Sequence, residues 1–148
     1  MNIHEKIRVR SPETPDEFEQ YYHIRWKTLR APWGEPEGSE RDERDHETLH
    51  RAAFVDGKVV GVARIQKNTA AEAQIRYMGV IEEYRGHGIG RLLVESLEQA
   101  AREKDFEYII LDARENAVGF YVVLGYEVIG ESYLLFDSIQ HFKMKKLL

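Results

Sequence analysis

The stretch from Gln74 to Leu97 limits what this chain can fold into more than any other. It runs from an apolar-rich segment through Tyr84-Arg85-Gly86-His87-Gly88-Ile89-Gly90 into a helical pattern opening at Arg91. Three glycines at alternate positions leave the turn free of Cβ atoms, so its backbone can take unusual φ/ψ values and approach a ligand closely. A helix that starts directly afterwards aims its unpaired N–H groups, and the positive end of its dipole, into the same space. Strand, bare turn and helix start together predict a nest for a phosphate or pyrophosphate.

Spacing narrows the ligand. A dinucleotide fingerprint G-x-G-x-x-G needs glycine at position 91, which is Arg91, and a P-loop needs Gly-Lys-Ser/Thr where the chain has Gly90-Arg91-Leu92. The segment reads instead as R-x-x-G-x-G, from Arg85 through Gly88 to Gly90. In this, and in the flanking Tyr-Arg-Gly and Ile89, it resembles the acyl-CoA-binding turn of the GNAT N-acetyltransferase superfamily. A second stretch, Asp112 to Tyr126 with Phe120-Tyr121 and Leu124-Gly125-Tyr126, resembles that superfamily's short helix bearing Phe-Tyr, followed by Leu-Gly-Tyr and a new strand. The resemblance covers the chain from about Arg51 onward, and Arg8 to Gly34 more loosely.

The rest of the chain supplies the expected frame. Lys6 to Arg10 alternates as a half-buried strand. Thr14-Pro15-Asp16-Glu17 reads as an N-cap, a first-turn proline and a capping glutamate. Phe18, Tyr21, Tyr22, Arg25, Trp26 and Leu29 then recur at helical spacing up to Pro32, as core, with Tyr22 or Trp26 able to touch substrate. The charged run Glu40 to Asp45 is expected to be solvated surface, with the alternative of an acceptor-site wall that favours a cation. Asp56-Gly57 marks a type I′ turn between Ala53-Phe54-Val55 and Lys58 to Ile65, and Ala73 to Ile81 is the next strand. The helix from Arg91 presents Leu92, Leu93, Leu97 and Ala100 or Ala101 inward, with Glu95, Glu98, Arg102 and Glu103 outward. Tyr108 to Leu111 is a buried strand parallel to the one ending near Val80, and strands at Glu127 to Gly130 and Ile139 to Lys145 close the chain. Antiparallel strands followed by a helix speak for α+β.

The resemblance implies the GNAT fold in one domain over residues 1–148: a mixed, mostly antiparallel sheet of six to seven strands with about four helices. It also implies transfer of an acetyl group from acetyl-CoA to a primary amine by direct attack. The pyrophosphate falls to backbone N–H groups of Arg85, Gly86, His87, Gly88, Ile89, Gly90 and Arg91, and polarisation of the thioester carbonyl to the strand end at Met78, Gly79 and Val80. Tyr121 is the candidate acid toward the CoA sulfur, since its ordinary pKa near 10 keeps its proton at neutral pH. Asn116 lies five residues before Tyr121, closer than in many relatives, as a further CoA contact. The base is drawn from Glu82, Glu83, Asp112, Glu131, His50, His141 or a water.

Two other readings stand beside it. His46-Glu47-Thr48-Leu49-His50 is a literal H-E-x-x-H, which on a helix would place two imidazoles on one face for zinc in a hydrolase. A non-catalytic CoA-binding regulator would share the glycine turn. Composition excludes more than it selects. A net charge of −5 argues against broad affinity for nucleic acid and weakly favours a cationic partner. The absence of cysteine removes disulfides, thiolate metal sites and a cysteine nucleophile. No apolar run reaches the length of a membrane span, and Met1 to Lys6 lacks a signal peptide's apolar centre, so a cytoplasmic protein without a metal is expected. An exposed C-terminal strand would allow a homodimer.

Overall fold

Seven strands form one sheet in the order β1-β2-β3-β4-β5-β7-β6. They are β1 Ile7–Arg10, β2 Leu49–Val55, β3 Lys58–Lys67, β4 Glu72–Val80, β5 Tyr108–Arg114, β6 Glu127–Leu135 and β7 Ile139–Leu147. The helices are the single turn α1 Ile3–Lys6, α2 Pro15–Leu29, α3 Ile89–Glu103 and the short α4 Val118–Val123. The computed structural model describes residues 3–148; Met1 and Asn2, part of the leader reading, lie outside the described residues.

Local chemistry explains the boundaries. Asp56 and Gly57 both hold positive φ, 51° and 77°, as a type I′ turn demands. Thr14 Oγ1 accepts the Glu17 N–H at 3.1 Å and Pro15 opens α2. The Glu17 carboxylate turns back to the Glu13 N–H at 2.9 Å and to the Arg10 guanidinium, instead of closing a box on Thr14.

Helices cover both faces. α2 sets Tyr21 and Ile24 against Ala52, Phe54, Val59 and Val62. On the opposite face α3 sets Ile89, Leu93, Val94 and Leu97 against Ala53, Ala63, Ile75 and Leu111. β3 is therefore buried at every position from Val59 to Gln66.

Several expectations need correction. α3 opens at Ile89, not Arg91, because left-handed Gly88 is its cap. Glu98, expected outward, is buried, where it accepts from Tyr126 Oη at 2.9 Å and Lys146 Nζ at 3.0 Å. β6 continues to Leu135, five residues beyond Gly130. The C-terminal strand β7 is interior, paired with both β5 and β6, so the free edge on that side is β6.

The charged run after α2 is only partly solvated surface, with Arg41 and Glu43 exposed, and none of it lines the cavity described below. Glu40 and Asp45 are buried, and Asp45 Oδ1 accepts from Arg25 at 2.8 Å and Arg64 at 2.9 Å, both arginines fully buried. Asp42 takes both terminal nitrogens of Arg64, at 2.6 and 3.0 Å. A buried guanidinium without a carboxylate is costly, so Asp42 and Asp45 of the run turn inward to meet the two cations.

This network also shapes β4. Tyr77 sits at φ 56°, rare for an aromatic residue. Its ring lies 4.6, 4.9 and 4.7 Å from the guanidiniums of Arg25, Arg64 and Arg76, and its hydroxyl donates to Asp42 at 3.2 Å. The register jumps here: Arg64 pairs with Arg76 and Val62 with Gly79, leaving Tyr77 and Met78 opposite Ala63 alone, the two-against-one count of a β-bulge. β4 and β5 pair in parallel only from Glu72↔Tyr108 to Ile75↔Leu111, and beyond that point they part.

Candidate active site

The glycine turn leaves β4 through a short 3₁₀ turn, Glu82–Tyr84. The Arg85 N–H, expected in the cradle, donates to the Glu82 carbonyl at 3.2 Å, and its Nε to the Val80 carbonyl at 3.1 Å. From Gly86 to Arg91, six consecutive N–H groups meet no protein acceptor among the described residues, the first helical bond being Leu92 N–H to the Gly88 carbonyl. Gly86 and Gly88 supply φ of 82° and 80°, which turn successive amides toward one side. Gly90 is glycine for a different reason, because a Cβ there would meet Phe120 Cζ at 3.1 Å. Arg91 spends its side chain on Glu95 at 2.6 Å, leaving its backbone as the local donor.

The parted strands open a cavity of about 270 Å³, walled by Met78, Asp112, Arg114, Tyr121 and His141 among others. At its β4 wall the bulge takes a residue of the Tyr77-Met78 pair out of the ladder. Gly79 is glycine for packing, since a Cβ would lie 2.9 Å from Thr28 Cβ of α2. Tyr121, on α4, is buried edge-on between Phe120 and Tyr126, with its hydroxyl 3.8 Å from Met78 Sδ. Burial pushes its pKa well above the ordinary phenol value, so it holds its proton. Asn116 is exposed in the turn before α4 and stands outside the cavity wall.

Of the candidate bases, the fold brings Asp112 and His141 to the cavity. Asp112 accepts from Ser132 Oγ at 2.6 Å and Gln74 Nε2 at 3.3 Å. The His141 ring stacks on Tyr133 at 4.3 Å, with Nδ1 3.0 Å from the Ile139 carbonyl. The ring also hydrogen-bonds the Tyr133 backbone, so the strands on either side hold it in place. Burial, with Arg114 nearby, lowers the His141 pKa against its backbone hydrogen bonds and Asp112. Glu82, Glu83 and Glu131 are exposed away from this wall. Tyr22 and Trp26 are also absent from it, and Leu29 and Arg30 of the α2 end take that place. Tyr133 escapes a sequence reading that ends β6 at Gly130, and Arg114 escapes because a lone arginine after an apolar run carries no signal.

The H-E-x-x-H pair does not form a metal face. His46 and Glu47 lie in a 3₁₀ turn and His50 in β2, so no helix aligns the imidazoles, and no group of three or more candidate ligands gathers among the described residues. His50 is instead buried, 2.9 Å from Tyr21 Oη and 2.7 Å from the Asp45 carbonyl. Burial, with Arg25 and Arg64 nearby, lowers its pKa. In the unfolded chain it titrates near 6.5, so the unfolded state takes the proton first. Stability is therefore full above that pH and falls as the pH drops below it, with His141 acting in the same direction. Urea denaturation at about pH 8 and about pH 5.5 should give the lower midpoint in acid, with a smaller gap in His50→Gln. An equal gap in the variant would remove His50 from the effect.

A free-amide cradle in the turn that follows β4, the strand that parts from β5, suits a diphosphate with a slender polar arm. Comparison with known proteins agrees. The model of the acetyltransferase (GNAT) family matches residues 18–126. The uncharacterized N-acetyltransferase YjcF of Bacillus subtilis (strain 168) is 27% identical over 131 residues, 88% of this chain and 93% of its own. Among solved structures, an acyl-CoA N-acyltransferase from Pseudomonas aeruginosa superposes with TM-score 0.79 at 23% identity, covering 95% of this chain and 97% of that one. An aminoglycoside 6′-N-acetyltransferase complexed with coenzyme A gives 0.79 at 17% identity, covering 95% and 97%. At those identities the two structures share the fold.

Proposed function

The chain belongs to the acetyltransferase (GNAT) family, an acetyl-CoA-dependent N-acetyltransferase by that membership, and from this premise we propose how its own residues divide the work. The observation that carries the assignment is the run of six unpaired amides, Gly86 to Arg91, whose Gly90 packs against Phe120 and Met78, the neighbours of Tyr121 beside the cavity. Convergent N–H donors at a helix start neutralise a diphosphate without any particular side chain.

Bound acetyl-CoA supplies an activated thioester. In the transfer the amine nitrogen bonds to the acetyl carbon, the carbon–sulfur bond breaks, one amine proton leaves and the sulfur gains one. Backbone N–H at the β4 bulge, Met78 to Val80, polarises the carbonyl, as preorganised amides do at a developing oxyanion. Asp112 and His141, on the opposite wall, are the two groups placed to receive the amine proton, directly or through water. Tyr121 gives its proton to the departing sulfur, since burial keeps the phenol protonated over the whole working range.

Tyr121→Phe keeps the ring packed against Phe120 and Tyr126 while removing that proton. Turnover should fall about 100-fold, with acetyl-CoA affinity little changed. Thiol release against a broad amine panel measures both the effect and the acceptor. Equal turnover in the variant would strip Tyr121 of its role.

The acceptor is a small-molecule or peptide amine, and the chain's net charge of −5 disfavours nucleic acid. A sequence without cysteine suits the reducing cytoplasm. No helix among the described residues is long and apolar enough to cross a membrane. A homodimer would form along β6, whose free edge exposes Val128, Ile129 and Leu134.

A further inference from the structure

The chain carries an excess of acidic residues, yet its cavity carries the opposite balance. Three arginines, Arg30, Arg76 and Arg114, line it against one carboxylate, Asp112. Two of the three have no carboxylate partner among the described residues. Arg30 spends its guanidinium on the carbonyls of Leu29 and Ser39 and on the rings of Tyr77 and Phe136. Arg114 is half-buried, its guanidinium without a hydrogen bond or ion pair among the described residues, and the cations that act on it are Arg30 and Arg85. Arg76 reaches Asp42 only at 3.8 Å, and that carboxylate is already taken by Arg64. The acidic run after α2 could have balanced these cations. It is folded onto Arg25 and Arg64 instead.

A half-buried guanidinium that shares a cavity wall with a second one and has no carboxylate partner among the described residues is unfavourable and is relieved by an anionic ligand. Guanidinium forks match carboxylate geometry, with two parallel N–H···O bonds per pair. Asp112, on the same wall, is the group suited to an ammonium. The spacing of opposite charges within one cavity thus describes a zwitterion and disfavours a polyamine, which would set a second positive charge against Arg30 and Arg114.

We propose that the acceptor is an amine carrying a carboxylate a few bonds from its nitrogen, the carboxylate held by Arg114 and Arg30 and the ammonium by Asp112 before it loses its proton. This rests on the acetyl-transfer reading of the same site and names its substrate class.

The test is a matched series: ω-amino acids from β-alanine to γ-aminobutyrate, with monoamines and diamines of equal chain length. Two readouts are taken, thiol release from acetyl-CoA as kcat/KM, and the Tm of the CoA-saturated protein. The ω-amino acids should exceed their matched monoamines by about tenfold or more in kcat/KM and should alone raise Tm. Arg114→Gln should bring that ratio near one, and Arg114→Lys should keep part of it, a gradation expected of a charge contact and not of a packing defect. Monoamines or diamines equal to or better than the ω-amino acids would overturn the inference, as would an Arg114→Gln effect confined to the KM of acetyl-CoA. These results leave acetyl transfer standing. Failure of the protein to bind acetyl-CoA at all would bring down the underlying reading, and this inference with it.

Discussion

Asp45→Ala should destabilise the fold by about 3–5 kcal/mol, read as a lowered midpoint in urea or heat. The carboxylate lies between two arginines that have no exposed side-chain surface, and its second oxygen accepts the Asp42 N–H at 2.9 Å. Removing it leaves Arg25 with the Tyr21 hydroxyl and the Glu40 carbonyl, and Arg64 with Asp42 and the Gln66 amide oxygen. Nε of each arginine has no partner already, so the network has no spare acceptor to redistribute. The pair Arg10–Glu17 has equally short bonds but keeps 41% and 19% of its side-chain surface exposed, so the same truncation should cost less. A loss at Asp45 as small as at Glu17 would show that water reaches the arginines.

Gly88→Val should lower acetyl-CoA affinity by about 100-fold while the protein still folds, as measured by calorimetry. Two effects combine. Gly88 holds φ 80° at the cap of α3, a conformation that costs a branched residue about 1–3 kcal/mol. The new side chain also stands among the six free amides, where two lost charge-assisted bonds would account for the hundredfold. Gly57→Val is the control: its φ is 77°, its Cβ would meet nothing within 4 Å, and it lies in the β2–β3 turn away from the cleft. It should show the strain alone, with affinity unchanged. Normal affinity in Gly88→Val would remove the turn from the donor site.

What is legible in the sequence is local. Thr14-Pro15, Asp56-Gly57 and the spaced glycines each carry their geometry in a few adjacent residues, and the structure places an N-cap, a type I′ turn and a bare-amide helix start there. The parallel β4–β5 pair follows from a short helical crossover. What fails is what depends on distant partners. Glu98 looks like any surface glutamate until Tyr126 and Lys146 close on it from the end of the chain. The run Glu40 to Asp45 looks solvated unless Arg25 and Arg64 are known to be buried, and Arg25 gives the one hint by falling in α2's apolar stripe. The insertion of β7 between β5 and β6 has no local marker at all. The cavity's charge is hidden for the same reason, because overall acidity says nothing about which carboxylates are already engaged.

The kink at Tyr77 is clamped by arginines and an aspartate that belong to the protein's own framework. The slot beside it is consequently there before anything arrives, and filling it means expelling solvent, without bending a strand. Encounter and alignment then govern how fast the donor seats itself, since no slow remodelling of the sheet stands in the way.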